Sequence, residues 1–167
     1  MSSTVYWLIT DTHFNHEKMC EYENRPADFN EQIIANWQKL VGSEDTVIHL
    51  GDVILGQNGT LDTILRDLPG RKILTLGNHD HGSVDWYMRK GFDKVVKEYR
   101  LYHNGLQLLF SHEPVMPLPN NIDLNIHGHF HRNPARFNEV GRSEYYSSHS
   151  DKYRLIQIED TLAPILL

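Results

Sequence analysis

Cysteine is almost absent from this chain: Cys20 is the single one in 167 residues. That excludes an intrachain disulfide and fits a reducing compartment. It also argues against a structural zinc site built on thiolates. Basic charge is scarce as well, with 16 Lys and Arg against 22 Asp and Glu and a formal net charge of −6. Generic binding to a nucleic-acid backbone relies on clustered Lys and Arg, so nucleic acid is not a favoured partner. A phosphate substrate stays open, because bound divalent cations make a pocket locally positive whatever the net charge. No run approaches the roughly 20 apolar residues that a membrane-spanning helix needs. The opening residues Met1–Trp7 carry neither the basic segment nor the long apolar stretch of a secretion signal. Repeats, low-complexity tracts and linkers are missing too. The expectation is a soluble cytoplasmic protein with no membrane partner.

What is there suits one domain spanning residues 1–167, since domains cluster near about 100–150 residues. Apolar residues make up 40 %, enough for a core. Val5–Thr10 is a short apolar run rich in β-branched residues and predicts a first strand, buried on both faces. Ile33, Ile34, Trp37, Leu40 and Val41 recur at helical spacing and predict a helix from about Asn30 to Val41, stopped by Gly42. Thr46–Leu50 predicts a second strand. Thr60 can cap a helix carrying Leu61, Ile64, Leu65 and Leu68, which Pro69-Gly70 ends. Lys72–Leu76 predicts a third strand, and Ser83 a short capped helix through Lys90 with Gly91 at its end. This alternation is the pattern of a layered α/β fold with mainly parallel pairing at its centre. In the second half, Lys94–Tyr102, a turn at Asn104-Gly105 and Leu106–Ser111 predict a hairpin. Ile122–His127 predicts another strand, Tyr153–Glu159 one more, and the polar stretch from Asn133 to Asp151 reads as the least structured.

Five short motifs fall where predicted strands end: Asp11-Thr12-His13, Gly51-Asp52, Gly77-Asn78-His79-Asp80, His112 and Gly128-His129-Phe130-His131. Ligands in open α/β sheets gather beyond the carboxyl ends of strands, so scattered strand-end ligands point to one composite site. Imidazole and carboxylate suit zinc, manganese and iron. On an extended strand Asp11 and His13 would share a face and could grip one ion together. His129 and His131 repeat the spacing. The Asp52 carboxylate has two oxygens and can bridge two ions, while Asn78 offers a neutral carbonyl oxygen. Glycine before three of the motifs permits the sharp turns a crowded site demands. Two ions roughly 3.5–4 Å apart can bind a phosphoryl group and lower the pKa of a shared water, leaving hydroxide as nucleophile.

Each motif alone is weak. With 11 His in the chain, about 0.7 His-x-His pairs arise by chance. Three occur: His79/His81, His127/His129 and His129/His131. Asp-Thr-His alone can be a cap or turn, and Gly-Asp is usually a turn. Together and in order, the motifs resemble those of the calcineurin-like metallophosphoesterases, over roughly residues 4–132.

The resemblance implies a four-layer α/β/β/α sandwich of two facing mixed sheets flanked by helices. It implies two divalent ions per chain, with manganese favoured and iron, zinc, nickel or cobalt as alternatives. Ion one would be held by Asp11, His13, Asp52 and His131. Ion two would be held by Asp52, Asn78, His112 and His129, with Asp52 bridging. His79 would face the substrate and protonate the leaving oxygen, and such acids contribute typically ~10²–10⁴-fold. The family pattern puts Gly before the first ligand of the last motif, which selects His129 and His131 and leaves His127 as a packed or supporting residue. Thr10 stands where the family often has Ser, and Phe130 where a smaller residue is usual, which puts the shape of the pocket rim in question. His16, Arg25 and Arg132 are candidate substrate contacts, each weighed against an ordinary structural or solvated role. His49, His81, His103 and His149 read as structural or surface residues, with His81 a possible exception, and Cys20 as an apolar filler.

The function these features imply is hydrolysis of a phosphate ester of a small molecule, with a phosphodiester favoured over a monoester. Two rivals are a non-catalytic interaction scaffold of the same fold and a nuclease working with partner proteins.

Overall fold

The computed structural model describes residues 4–53 and 65–130, together with the backbone of two short strands at 144–145 and 156–157. Two sheets form the centre. The first has the order β4-β3-β2-β1-β9 and the second β5-β6-β7-β8. The strands are β1 (Tyr6–Ile9), β2 (Thr46–His49), β3 (Arg71–Thr75), β4 (Lys94–Val96), β5 (Glu98–His103), β6 (Leu106–Ser111), β7 (Leu124–His127), β8 (Glu144–Tyr145) and β9 (Ile156–Gln157). Strands β1 to β4 pair in parallel, as do β6, β7 and β8, while β9 runs antiparallel to β1 and β5 antiparallel to β6. Both sheets are therefore mixed.

Side-chain alternation sorts the core into two layers. Leu8, Ile48 and Leu50 leave the first sheet on one face and meet Leu108, Phe110, Leu124 and Ile126 of the second. Trp7, Ile9, Val47 and Leu74 leave it on the opposite face and pack with helix residues. The helices are α1 (Met19–Tyr22), α2 (Phe29–Leu40) and α3 (Val84–Arg89). Their buried residues Met19, Phe29, Ile33, Trp37 and Tyr87 all belong to that second cluster. The two facing sheets and the helical layer outside the first agree with the expected α/β sandwich. Among the described residues, no buried helix residue packs in the cluster between the sheets.

The strands predicted over Val5–Thr10, Thr46–Leu50 and Lys72–Leu76 coincide with β1, β2 and β3, which are buried on both faces along most of their length. Helix α2 starts one residue before the predicted Asn30 and ends at Leu40. Ser83 caps α3 by accepting from the Trp86 N–H at 3.2 Å. Asn104 and Gly105 both have positive φ, at 49° and 85°, as a tight hairpin turn of the primed type requires. Two expectations are corrected. Lys94–Tyr102 is not one strand: Lys94–Val96 pairs with β3 in the first sheet, and Glu98–His103 pairs with β6 in the second. Strand-favouring residues lie on both sides of Lys97, and nothing in their pattern announces that the chain changes sheet there. The polar stretch after Asn133 contributes a strand, Glu144–Tyr145, too short to leave a periodic signal. Of the predicted last strand, Ile156–Gln157 is described. Of the helix expected from Thr60, residues 65–67 are helical and 60–64 lie outside the described residues. Among the described residues no helix is long and apolar enough to cross a membrane.

The topology positions the motifs. Because β1, β2 and β3 run parallel, the loops after Ile9, His49 and Thr75 leave the first sheet at one edge. The loops after β6 and β7, also parallel, leave the second sheet together. The facing of the sheets brings the two sets of loops into contact.

Trp37 anchors the helical layer. It is fully buried and its Nε1 donates to the Pro69 carbonyl at 3.0 Å. Trp37→Ala is expected to lower unfolding free energy by about 3–5 kcal/mol, read from urea midpoints. A loss under about 1 kcal/mol would show that this face does not carry the fold.

Candidate metal centre

The loop after β1 abandons the extended backbone at once. Asp11 has φ 51° and His13 φ 46°, so the expected sharing of a strand face is replaced by a turn that aims both side chains inward. The loop stays tied to the loop after β2: Asp11, His13 and Phe14 donate their N–H groups to Gly51, Asp52 and Val53 at 3.0, 2.9 and 2.9 Å. Asp52 and His129 are also left-handed, with φ 56° and 74°. Non-glycine residues avoid this region at a cost of about 1–2 kcal/mol each, and such residues cluster at functional sites.

The result is a convergence of donor atoms. One oxygen or nitrogen each from Asp11, His13 and Asp52 lies within 4.8 Å of the others, and all three residues are buried. His13 Nε2 stands 3.9 Å from Asp11 Oδ1 and 3.7 Å from Asp52 Oδ2. Beside this group is a tighter triangle. His112 Nε2 lies 2.9 Å from Asn78 Oδ1 and 3.1 Å from His129 Nδ1, which lies 3.1 Å from Asn78 Oδ1. Asp52 Oδ2 approaches the His112 corner at 3.3 Å. Donors bound to one ion at about 2.0–2.2 Å stand roughly 2.9–3.5 Å apart, so these edges fit a coordination shell. His112 Nδ1 donates to the Leu50 carbonyl at 2.8 Å, which leaves Nε2 as the ring nitrogen turned towards Asn78, His129 and Asp52. Imidazole, carboxylate and amide oxygen without thiolate suit a divalent transition metal.

Close backbone approach makes the convergence possible. A Cβ on Gly77 would overlap the Asp52 carboxylate, and one on Gly128 the Thr10 hydroxyl.

Comparison with known proteins follows this geometry. The family model of the calcineurin-like phosphoesterases matches residues 4–162. The chain belongs to that family. Among curated relatives, the uncharacterized protein MJ1445 of Methanocaldococcus jannaschii is 34 % identical over 141 residues, covering 80 % of this chain and 73 % of that one. The gene 66 protein of Mycobacterium phage L5 is 38 % identical over 86 residues, covering 48 % of this chain and 41 % of that protein. Among solved structures, the protein of unknown function AQ665 from Aquifex aeolicus superposes with a TM-score of 0.81 at 28 % identity, over 99 % of this chain and 100 % of that one. The family match continues past Arg132, where the motif resemblance fades.

In this calcineurin-like phosphoesterase, Asp11, His13 and Asp52 form a candidate metal site. Charge within it is strongly coupled. Burial alone would raise the Asp52 carboxyl, but the His112 hydrogen bond and charge, the His79 N–H and His13 outweigh it and hold the group well below the usual carboxylate range. Burial works against the His112 imidazolium, yet Asp52, Asp11 and the Leu50 carbonyl push it up to about 9. His129 is lowered, first by burial and then by the charge of His112.

Other residues named from the sequence are placed as follows. His79 is exposed, its N–H donating to Asp52 Oδ1 at 2.9 Å and its ring 5.9 Å from that of His13. His16 is half-buried, 6.3 Å from the His13 ring. His81 is exposed, 6.5 Å from His79. His127 is buried and its Nδ1 donates to the Gly128 carbonyl at 2.9 Å. Arg25 is buried against the backbone of the Asp11–His13 loop. His131 and Arg132 lie outside the described residues.

Sequence reasoning missed the residues that hold the loops. Asp80 is buried and accepts four hydrogen bonds: from Asp52 N–H and Gly77 N–H at 2.8 Å, Val53 N–H at 3.0 Å and the Tyr87 hydroxyl at 3.2 Å. Burial raises its carboxyl against the pull of its three backbone donors. Its place in the Gly77–Asp80 motif was the available signal. The Thr10 hydroxyl donates to Asp11 Oδ2 at 2.6 Å, and the His129 N–H reaches the same oxygen at 3.1 Å.

His49 links two loops. Its Nδ1 accepts from the Gly51 N–H at 3.1 Å, so its proton sits on Nε2, 2.9 Å from Thr12 Oγ1, and that hydroxyl donates to the Val53 carbonyl at 2.9 Å. Burial pushes His49 down from 6.5 to about 3. The unfolded chain therefore takes up this proton near 6.5 and the folded protein only near 3. The stabilisation is complete above about 6.5 and is lost as pH falls towards 3, by up to about 1.4 kcal/mol per pH unit. Urea midpoints of chelator-treated protein should drop more between pH 7 and pH 5 in the native chain than in His49→Gln. Equal drops would show that His49 does not couple to acid unfolding.

Proposed function

We propose that this phosphoesterase hydrolyses phosphodiesters with two divalent ions and uses His79 as the general acid. The observation that carries the reading is the position of Asp52: one carboxylate oxygen faces His13 at 3.7 Å and His112 at 3.3 Å. Asp11, His13 and Asp52, with His131, would hold ion one. Asp52, Asn78, His112 and His129 would hold ion two. When bound there, divalent ions would supply Lewis acidity towards a phosphoryl oxygen and a water.

The chain's own groups do the rest. His112, fixed by the Leu50 carbonyl, presents Nε2 to the site. His79 belongs to neither ligand group, and its backbone bond to Asp52 Oδ1 holds it at the rim. An exposed imidazole there can give a proton to a leaving oxygen, a task suited to histidine near neutral pH. Support for a diester comes from the openness of the site. Asn78 and His79 are exposed, and a groove of about 460 Å³ runs past Asn78 and His112 between Lys97 and Glu113. Such a groove offers room for an organic arm of a substrate beside Asn78 and His112. Manganese is the favoured ion.

Elemental analysis after Mn²⁺ reconstitution should approach two ions per chain. Asp52→Asn should weaken both sites together, while His112→Ala weakens mainly one. Single-site losses in both variants, read by titration calorimetry, would remove the bridge.

His79→Ala should keep both ions. Its kcat should fall by ~10²–10⁴ on alkyl esters and by much less on nitrophenyl esters, whose leaving group scarcely needs a proton. Loss of an ion would make His79 a ligand, and full activity on the poor leaving group would remove the acid role. A higher kcat/KM for nitrophenyl phosphate than for its bis-nitrophenyl diester would overturn the diester preference.

A further inference from the structure

We infer that Arg25 is a positioning residue for the Asp11–His13 loop, setting the geometry of one metal site through the backbone. The inference rests on the reading of Asp11 and His13 as ligands. Arg25 is only 3 % exposed, although arginine is almost never buried without specific partners. Its two terminal nitrogens each take one carbonyl: Nη1 donates to Thr12 O and Nη2 to Asp11 O, both at 2.6 Å. These carbonyls are not arbitrary. Asp11 and His13 are left-handed, so the chain turns out of the β ladder here and its carbonyls need other partners. A planar fork with fixed donor spacing bridges successive carbonyls, and a lysine ammonium offers no such fork.

The arginine is itself held. Its N–H donates to the Met19 carbonyl at 3.3 Å, and its guanidinium lies 5.0 Å from the centre of the Phe29 ring. Phe29 begins α2, and the next residue, Asn30, accepts from the Asn15 N–H at 3.2 Å. The segment from Asn15 to Asn30 thus grips the ligand loop, with His16 donating its backbone N–H to the His13 carbonyl at 3.1 Å and Arg25 taking the carbonyls of Asp11 and Thr12.

Charge and geometry predict opposite effects, which makes the role testable. A guanidinium behind the loop repels a cation in front of it, so removing the charge would by itself tighten cation binding. Removing a positioning group loosens the loop and weakens binding, and loss of an outer partner of a ligand typically costs ~10–100-fold in metal affinity.

The experiment is Mn²⁺ titration of chelator-treated protein, with free Mn²⁺ followed by electron paramagnetic resonance. It compares the native chain with Arg25→Gln, Arg25→Lys, Arg25→Ala, Asp11→Asn and the Arg25→Gln/Asp11→Asn double variant. We expect Arg25→Gln to lose ~10–100-fold at one site, the same one that Asp11→Asn weakens, with the other site unchanged. The double variant should be little worse than Asp11→Asn alone, because both changes act on one loop. Arg25→Lys, which keeps the charge and fills the space, should fold and show a smaller loss at that site. Millimolar guanidinium should partly restore Arg25→Ala. Native affinity at both sites in a folded variant, tighter binding, or equal loss at both sites would overturn the inference. A native chain that binds no Mn²⁺ would instead overturn the ligand reading, which keeps the two failures distinct.

Discussion

The organisation of this protein depends on holding backbone where L-residues resist going. Asp11, His13, Asp52 and His129 all sit in the left-handed region, and each such conformation must be over-determined by its surroundings to persist. The surroundings do this with buried polar groups. Arg25 takes the carbonyls of the first loop, Asp80 takes the amides of the second and third, and the Asp11 carboxylate receives the His129 amide of the last. A chain that left its strands in ordinary extended conformation would carry the same side chains past one another.

The same groups set the electrostatics. Two carboxylates, Asp11 and Asp52, lie buried in one place, an arrangement costly without compensation. In the protein alone His112 supplies part of it, its imidazolium raised by the charges it neutralises. A divalent cation would supply more, which is the physical sense in which Asp11, His13 and Asp52 form a candidate metal site. Asp80 is separate: four donors satisfy it, so it serves the loops and leaves Asp52 to face the site. These anchors are buried, whereas Asn78 and His79 at the rim are exposed.

Much of this was legible from composition and order. The α/β class, the helix over Asn30–Val41, the capped helix at Ser83 and the Asn104-Gly105 hairpin follow from periodicity and turn chemistry, which are local. Asp11, His13, Asp52, Asn78, His112 and His129, which converge, all stand in the five motifs, because particular side chains can be read from sequence, while His131 lies outside the described residues. The sheet change at Lys97 was not legible, since Val95 and Leu101 look alike in sequence although they pack in different layers. Arg25 read as a substrate contact or a solvated cation, because nothing in its neighbours tells that two carbonyls fourteen and thirteen residues earlier need donors.

By itself, then, the sequence determined which side chains have the chemistry of metal ligands and proton donors, where the strands that carry them end to within a residue or two, and that no intrachain disulfide braces them. Tertiary structure alone decided that the Asp11–His13 pair meets on a left-handed turn, that Asp52 stands between two groups of donors, and that Arg25 and Asp80 serve backbone. The reason is physical. Side-chain chemistry and hydrophobic period are properties of neighbours along the chain, whereas a buried carbonyl or amide finds its partner only when distant segments pack.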